Sequence, residues 1–331
     1  MRARLAGLVV VAMLLAAVCI LSITLGTRLM SVGTIWHALV DVDPGSTSET
    51  VIRELRIPRT LIGLTAGAAL GLAGAVLQGA TRNPLADPGI LGINGGAAAA
   101  IVTAIVVLGT QSLSTYVWFG FLGAGSAVVV VYALASLGRG GATPVKLALA
   151  GAAVSAGLYA LTSALVLTSL DALQEMRFWQ VGSLAGRYYP VFWQTLPFLA
   201  LGIVAVLGSG RALNGLALGD DVAAALGQDV RRTRLALFVA VSVLCGAAVA
   251  ACGPIIFLGL AVPQAVRAVV GPDYRWVLAY TALLSPAVLL AADVIGRLAV
   301  RPGELQVGVV LGVLGAPVFI GLVRFKNLAA L

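Results

Sequence analysis

Apolar residues run through this chain in blocks long enough to cross a bilayer, and short polar or Pro/Gly-containing breaks divide them. The first block, Leu5 to Gly26, follows Met1-Arg-Ala-Arg4. It is too long for the apolar region of a secretory signal, and no small-x-small cleavage site ends it cleanly. Ala16-Ala-Val-Cys19 is only faintly like a lipoprotein site, because Val18 is too large before the cysteine. The other blocks cover residues 60–80, 91–110, 115–137, 147–168, 191–208, 235–252, 256–270, 276–293 and 306–323. A spanning helix needs about 20 apolar residues. The pattern therefore predicts an all-α, polytopic membrane helix bundle of about ten transmembrane helices. Gly and Pro interrupt the third and eighth blocks, which are the weakest of the set. An even number of spans puts both termini on one side. Residues 1–331 read as one transmembrane domain, with the longest loop on the terminal side at about 209–234.

Composition agrees. The chain is 60% hydrophobic and 10% charged, against about a quarter charged in a soluble domain. A soluble enzyme, a disordered protein and a nucleic-acid-binding domain are excluded as default readings. The balance of 21 Lys+Arg against 13 Asp+Glu is placed in short loops, as positive-inside topology requires. Counted on alternate sides, thirteen basic residues fall with the termini and eight on the opposite side. That excess puts the termini in the cytoplasm. Small residues recur at intervals of four within the spans, as at Gly63, Gly67 and Gly71. Such spacing lets helix backbones approach closely in lipid.

The candidate chemistry is sparse. Cys19, Cys245 and Cys252 lie in apolar runs without metal-ligand spacing, and His37 is the only histidine. No catalytic residue and no metal site is expected, and His37 reads as an interfacial residue. No GxxxxGKS/T phosphate loop occurs. The span interiors carry almost no charge; Asp293 and Arg297 come nearest, at a span end. Ion-coupled carriers usually keep such groups within their helices. An energy source outside this chain follows.

Two loops carry information. Gly219-Asp-Asp-Val-Ala-Ala-Ala-Leu-Gly227 reads as a short helix, with Asp220 or Asp221 as its N-cap and Gly227 as its stop. Leu213, Leu216, Leu218, Val222 and Leu226 supply an apolar surface. By physics alone, that surface serves a partner's groove or a lipid interface equally well. The second loop, from Gln78 through Arg82-Asn-Pro-Leu-Ala-Asp-Pro-Gly to Asn94, is a Pro/Gly-fixed turn at a span junction. Irregular backbone at membrane depth requires burial in protein or a wetted cavity. The loop is either a gate or a plain re-entrant turn.

An ordered set of stretches resembles the permease subunits of type II ABC importers of the FecCD family. These are Leu55-Arg-Ile-Pro-Arg-Thr60, Gly67 to Gly79, Arg82-Asn-Pro-Leu-Ala-Asp-Pro-Gly-Ile-Leu-Gly92 and Phe178-Trp-Gln-Val-Gly-Ser183. Leu216-Ala-Leu-Gly219, Gly253-Pro-Ile-Ile-Phe-Leu-Gly-Leu260, Ala292-Asp293 and Gly315-Ala-Pro-Val-Phe319 follow. The resemblance covers nearly the whole chain. One departure is Glu304-Leu-Gln306, where the family commonly has Glu-Leu-Pro.

The resemblance implies a type II importer permease fold in a bacterial plasma (inner) membrane. The partners it implies are a second permease subunit (homo- or heterodimer), two ATP-binding subunits and an extracytoplasmic substrate-binding protein. It leaves no cofactor on this chain, with ATP and Mg on the partner ATPases. The cargo class it implies is a bulky metal chelate, iron–siderophore first, with haem and cobalamin as alternatives. It makes Leu213–Gly227 the coupling region, including Gly219, Asp220, Asp221 and Gly227. It makes Arg56, Arg59 and Arg297 binding-protein docking positions, with headgroup anchoring as their plain alternative. Asn83, Pro84 and Leu85 would form one cytoplasmic gate, and Thr143 and Pro144 the other. The fifth and tenth spans would line the channel. A reading of another class, an ion-coupled secondary transporter, is disfavoured by the uncharged span interiors.

Overall fold

The computed structural model describes residues 1–26, 33, 46–109, 112–137 and 143–325. His37, Arg28, Arg139 and Lys326 lie outside the described residues. All described regular structure is helical. Ten helices match the ten apolar blocks: α1 (Arg2–Thr24), α2 (Ile57–Thr81), α3 (Ile93–Leu108), α4 (Leu113–Ser136), α5 (Pro144–Val166), α7 (Tyr189–Gly208), α10 (Val230–Cys252), α11 (Leu258–Val270), α12 (Tyr274–Ala299) and α13 (Val307–Phe325). Three shorter helices fill the loops: α6 (Leu170–Trp179), α8 (Gly210–Ala217) and α9 (Asp220–Ala225). A further turn, Thr47–Thr50, runs through a π-helical stretch, Val51–Arg56, into α2. Among the described residues, seven helices are long and apolar enough to cross a membrane, and Ile93–Leu108, Leu258–Val270 and Val307–Pro317 are shorter apolar segments. Two of these three are the blocks weakened by Gly and Pro.

Several helices outrun their apolar blocks. α2 begins before residue 60, α10 before residue 235, and α12 ends after residue 293. Hydropathy marks the lipid-contacting length, whereas backbone hydrogen bonding continues past it. Arg59, Asp293 and Arg297 therefore sit on helices rather than in loops.

Helix α2 is the buried spine, packed against α12, α10, α11 and α7. Its glycines set the close crossings. A Cβ at Gly67 would lie 2.6 Å from the Pro286 Cα, and one at Gly74 would lie 1.8 Å from the Gly259 carbonyl oxygen. Helices α1 and α5 keep much of their surface uncovered by the rest of the chain.

The two short helices α3 and α11 share a device. Each starts at a residue with left-handed backbone, Gly92 (φ 75°) and Phe257 (φ 67°). These residues lie in the Asp87–Gly92 and Gly253–Gly259 stretches, which echo one another in sequence. A left-handed residue turns the chain sharply into the helix; Phe257 adopts it without glycine's freedom.

Candidate coupling face, gate loop and arginine cluster

Charged residues collect at two ends of the bundle, as the alternation of spans predicts. At one end stand Arg4 over Trp276, Arg82 and Arg234 beside Asp220, and Arg275 beside Asp273. At the other stand Arg56, Arg59, Arg297 and Arg301.

The expected coupling region is built as two short helices. Gly219, with φ 114°, separates α8 from α9, and Gly227, with φ 82°, ends α9. The expected stop at Gly227 is present. The expected Asp cap is not, because neither aspartate accepts a capping bond at the start of α9. Asp220 instead takes Arg234 Nη2 at 3.0 Å and Arg82 Nη2 at 3.5 Å. The carboxylate thus ties α9 to α10 and to the end of α2. Asp221 stays in the first turn, where it meets the helix dipole.

The five apolar residues divide. Leu213 and Leu216 are fully buried in the core. Leu218, Val222 and Leu226 are exposed, Leu226 by 70%. The outward apolar edge is therefore three residues rather than five.

A second joint holds this region to α12. Asn214 Nδ2 donates to Asp273 Oδ1 at 2.7 Å, and Asn214 Oδ1 accepts from Tyr274 N at 2.8 Å. Asp273 also accepts from Arg275. The Arg275 hydrogen bonds, aided by Asn214, hold the Asp273 carboxyl well below the usual carboxylate range.

The loop expected to form a gate leaves α2 through Arg82, whose φ of 52° is left-handed. Asn83 Oδ1 accepts from Leu85 N, an Asx turn that exposes the Leu85 side chain. Asp87 closes the next turn by accepting from Gly89 N at 2.7 Å. Two buried glutamines tether this loop. Gln264 Nε2 donates to the Pro84 carbonyl at 2.9 Å and to Gln78 Oε1 at 2.8 Å. Gln78 Nε2 in turn donates to the Gly259 and Leu260 carbonyls. Sequence reasoning missed this pair; its signal is two amides inside otherwise apolar helices. At the other expected gate, Thr143 Oγ1 caps α5 by accepting from Lys146 N, and Pro144 is the first residue of that helix. No hydrogen bond joins the two gate segments among the described residues.

The three arginines expected to dock a partner point inward. Arg56 donates to the Ile23 and Thr24 carbonyls at 2.7 Å. Arg59 forms ion pairs with Asp293 at 2.7 Å and Glu304 at 2.9 Å. Arg297, only 3% exposed, donates to the Ser22 and Leu25 carbonyls and pairs with Asp293 at 3.1 Å. Their geometry fastens α1, α2, α12 and the segment before α13 together. It offers a partner the rim of the cluster rather than free guanidinium groups.

Several of the quoted sequence stretches meet at this end. Ser183 N donates to the Cys252 carbonyl at 2.8 Å, and Gly308 N donates to the Gly182 carbonyl at 3.1 Å. The 179–187 loop is thereby pinned to the end of α10 and the start of α13.

Ten apolar helices packed around α2, with two short helices braced at one end, make a multi-pass membrane bundle. A model of the FecCD transport family matches residues 14–325, and the chain belongs to that family. It is 46% identical over 316 residues to the ferric enterobactin transport system permease protein FepD of Escherichia coli, covering 95% of this chain and 94% of that one. The probable siderophore transport system permease protein YfiZ of Bacillus subtilis is 40% identical, with 94% and 93% covered. A cobalamin import permease of Halobacterium salinarum is also 40% identical, with 86% and 76% covered. Among solved structures, an inward-facing metal-chelate type ABC transporter superposes with a TM-score of 0.84 at 29% identity, covering 96% of this chain and 99% of that one. The chain is thus a multi-pass, non-catalytic permease of the ABC-importer type, whose ATP hydrolysis belongs to separate subunits.

Proposed function

We propose that this permease imports an iron–siderophore chelate by alternating access, with its termini and α8–α9 on the cytoplasmic side. The observation that carries the reading is the exposed apolar set Leu218, Val222 and Leu226 on and flanking α9, a helix that Asp220 ties to α10. Exposed apolar residues at a rigid cytoplasmic helix fit a groove on an ATP-binding subunit, and bracing lets a push there travel into α2 and α10. Two such subunits and a second permease copy, identical or paired, complete the assembly. The uncovered faces of α5 and α13 then line the shared path. Gly219 and Gly227 bound the docking helix, while Leu213 and Leu216 root it in the core.

Docking of a substrate-binding protein falls at the arginine-rich end. Arg56, Arg59 and Arg297 shape that face from within, and carboxylates on the partner are drawn by its positive field. The Asn83-Pro-Leu85 turn and the Thr143-Pro144 segment close the opposite end.

The test is uptake in proteoliposomes of the permease assembled with its ATP-binding subunits and binding protein. Ferric siderophore, haem and cobalamin are offered in parallel, with and without ATP. ATP-dependent, binding-protein-dependent uptake of ferric siderophore is the expected result. Uptake of haem or cobalamin alone contradicts the cargo. Uptake that follows an ion gradient without ATP contradicts the mechanism.

A further inference from the structure

Beside the arginine cluster lies a cavity of 530 Å³, lined by α6, the 180–188 loop and the segment leading into α13. Trp179, Glu175, Ser183, Arg187, Glu304 and Gln306 contribute its polar wall. It shares Gly186, Arg187, Tyr188 and Glu304 with a second cavity of 420 Å³, which Arg56, Arg59 and Arg297 line.

Of the four arginines in these two walls, three have acceptors. Arg56 has carbonyls, Arg59 has carboxylates and Arg297 has both. Arg187 is 8% exposed and has no hydrogen-bond acceptor or ion pair among the described residues. Trp179, 4% exposed, likewise has an indole N–H without an acceptor. Burial lowers the Arg187 guanidinium from its ordinary value, against the raising influence of the Glu175 charge. Glu304, the other carboxylate in the wall, is engaged by Arg59.

The wall is rigid. A Cβ at Gly182 would lie 2.3 Å from the Pro254 carbonyl oxygen, and the Gly182 φ is 75°. Ser183 Oγ accepts from Ala185 N at 3.1 Å, and Gly186, with φ 66°, turns the chain into Arg187. A buried donor without an acceptor is costly to keep. The Arg187 guanidinium, on the fixed wall of the cavity, is a cationic donor suited to an incoming oxygen acceptor.

We propose that this cavity is a binding site for an anionic oxygen ligand of small-molecule size, held by the Arg187 guanidinium with Trp179 in the same wall. The class is a negatively charged, oxygen-donor metal chelate, met at the outer end of the path before the bundle opens. Its volume lies in the range of small-molecule sites, and the burial of Arg187 favours a small molecule over a side chain on a docked protein. The site deepens the importer reading by giving the cargo a first contact on the permease. It can be tested without transport, so its failure and the importer's failure are distinguishable.

The test uses the permease assembled with its ATP-binding subunits in lipid nanodiscs, without binding protein. Gallium dicitrate is the anionic probe, and a gallium trihydroxamate, whose three singly charged donors cancel the metal's charge, is the neutral one. Tryptophan fluorescence is the readout, with Trp179→Phe identifying its source. A saturable change with gallium dicitrate is expected, absent in Trp179→Phe and with the neutral probe. Arg187→Gln should weaken it at least tenfold. Arg187→Lys, which keeps charge but loses the guanidinium fork, should weaken it at least threefold and decides the matter if Arg187→Gln does not assemble. No saturable change, or an unaltered affinity in the arginine variants, overturns the proposal. A response to the binding protein alone, with none to gallium dicitrate, assigns Arg187 to protein docking and overturns it equally.

Discussion

Asp293, 1% exposed, lies between two guanidinium groups, with Arg59 Nη2 at 2.7 Å and Arg297 Nη2 at 3.1 Å. Arg59 comes from the start of α2 and Arg297 from the end of α12, so one carboxylate fastens the two most intimately packed helices. Removing it leaves two buried cations facing one another. Asp293→Ala should cost about 3–5 kcal/mol, the usual penalty for breaking a buried pair. Glu304→Gln, at the half-buried rim of the same network, should cost about 1 kcal/mol or less. Thermal unfolding of the two variants in nanodiscs checks the ratio, and equal losses would contradict it.

The crossing of α2 with α11 depends on the absence of one side chain. Gly74→Ala drives its new methyl into the Gly259 carbonyl and should cost about 1–3 kcal/mol or more. Gly125→Ala meets nothing within 4 Å and should stay within about 0.5 kcal/mol of the parent. Comparable melting points for the two variants would show that the helices slide to accommodate the methyl.

The proposed gate loop is held from inside by Gln264. Replacing it with leucine leaves the Pro84 carbonyl and Gln78 Oε1 without their donor. A loss of about 1–3 kcal/mol follows from the unsatisfied acceptors. The functional outcome should exceed that loss: the 83–85 turn loosens, and ATP hydrolysis proceeds with less uptake per turnover. Measuring uptake and hydrolysis on the same vesicles tells a loosened gate from a merely less stable protein, since only the first lowers their ratio.

The Asn214–Asp273 joint has a defined pH behaviour. A carboxyl held below its unfolded value contributes stability that is fully present above that unfolded value. The contribution is lost as pH falls through the depressed folded value. Because Asp273 is depressed below the ordinary carboxylate range, the joint should be intact from pH 8 to pH 5. Asp273→Asn should therefore lower the melting point by the same amount at both ends of that range. A gap that closes by pH 5 would show that Asp273 titrates above its ordinary value and would contradict the depression.

Local pattern made the ten helices legible, because block length and hydropathy are properties of consecutive residues. It also gave the short helix before Gly227, through helix formers followed by glycine. What it could not give were pairings across the chain. Arg59 and Asp293 are 234 residues apart, and Gln78 and Gln264 are 186 apart. A single sequence offers no register between such helices, so inward-facing arginines read as surface charge. The division of Leu213 and Leu216 from Leu218, Val222 and Leu226 has the same origin. Helix α8 turns Leu213 and Leu216 into the core, while Leu218 at its end and Val222 and Leu226 past the Gly219 bend face outward. Helix α6 was not anticipated, since it is a short amphipathic element between two stronger apolar blocks.

The coupling claim stands on the exposed apolar residues Leu218, Val222 and Leu226 around α9 and on the Asp220 brace. The measurement is ATP hydrolysis and cargo uptake, taken together on reconstituted complexes carrying Leu218→Ser, Val222→Ser and Leu226→Ser combined. Asp220→Asn is measured alongside, because it removes the brace and leaves the edge intact. The triple variant should remain folded in the membrane, since its side chains are exposed, yet lose uptake at least tenfold and bind the ATP-binding subunits weakly. Asp220→Asn should keep the subunits bound and lose uptake per ATP hydrolysed. Normal uptake by the triple variant would contradict the account, because the force of ATP hydrolysis would then be entering the permease elsewhere.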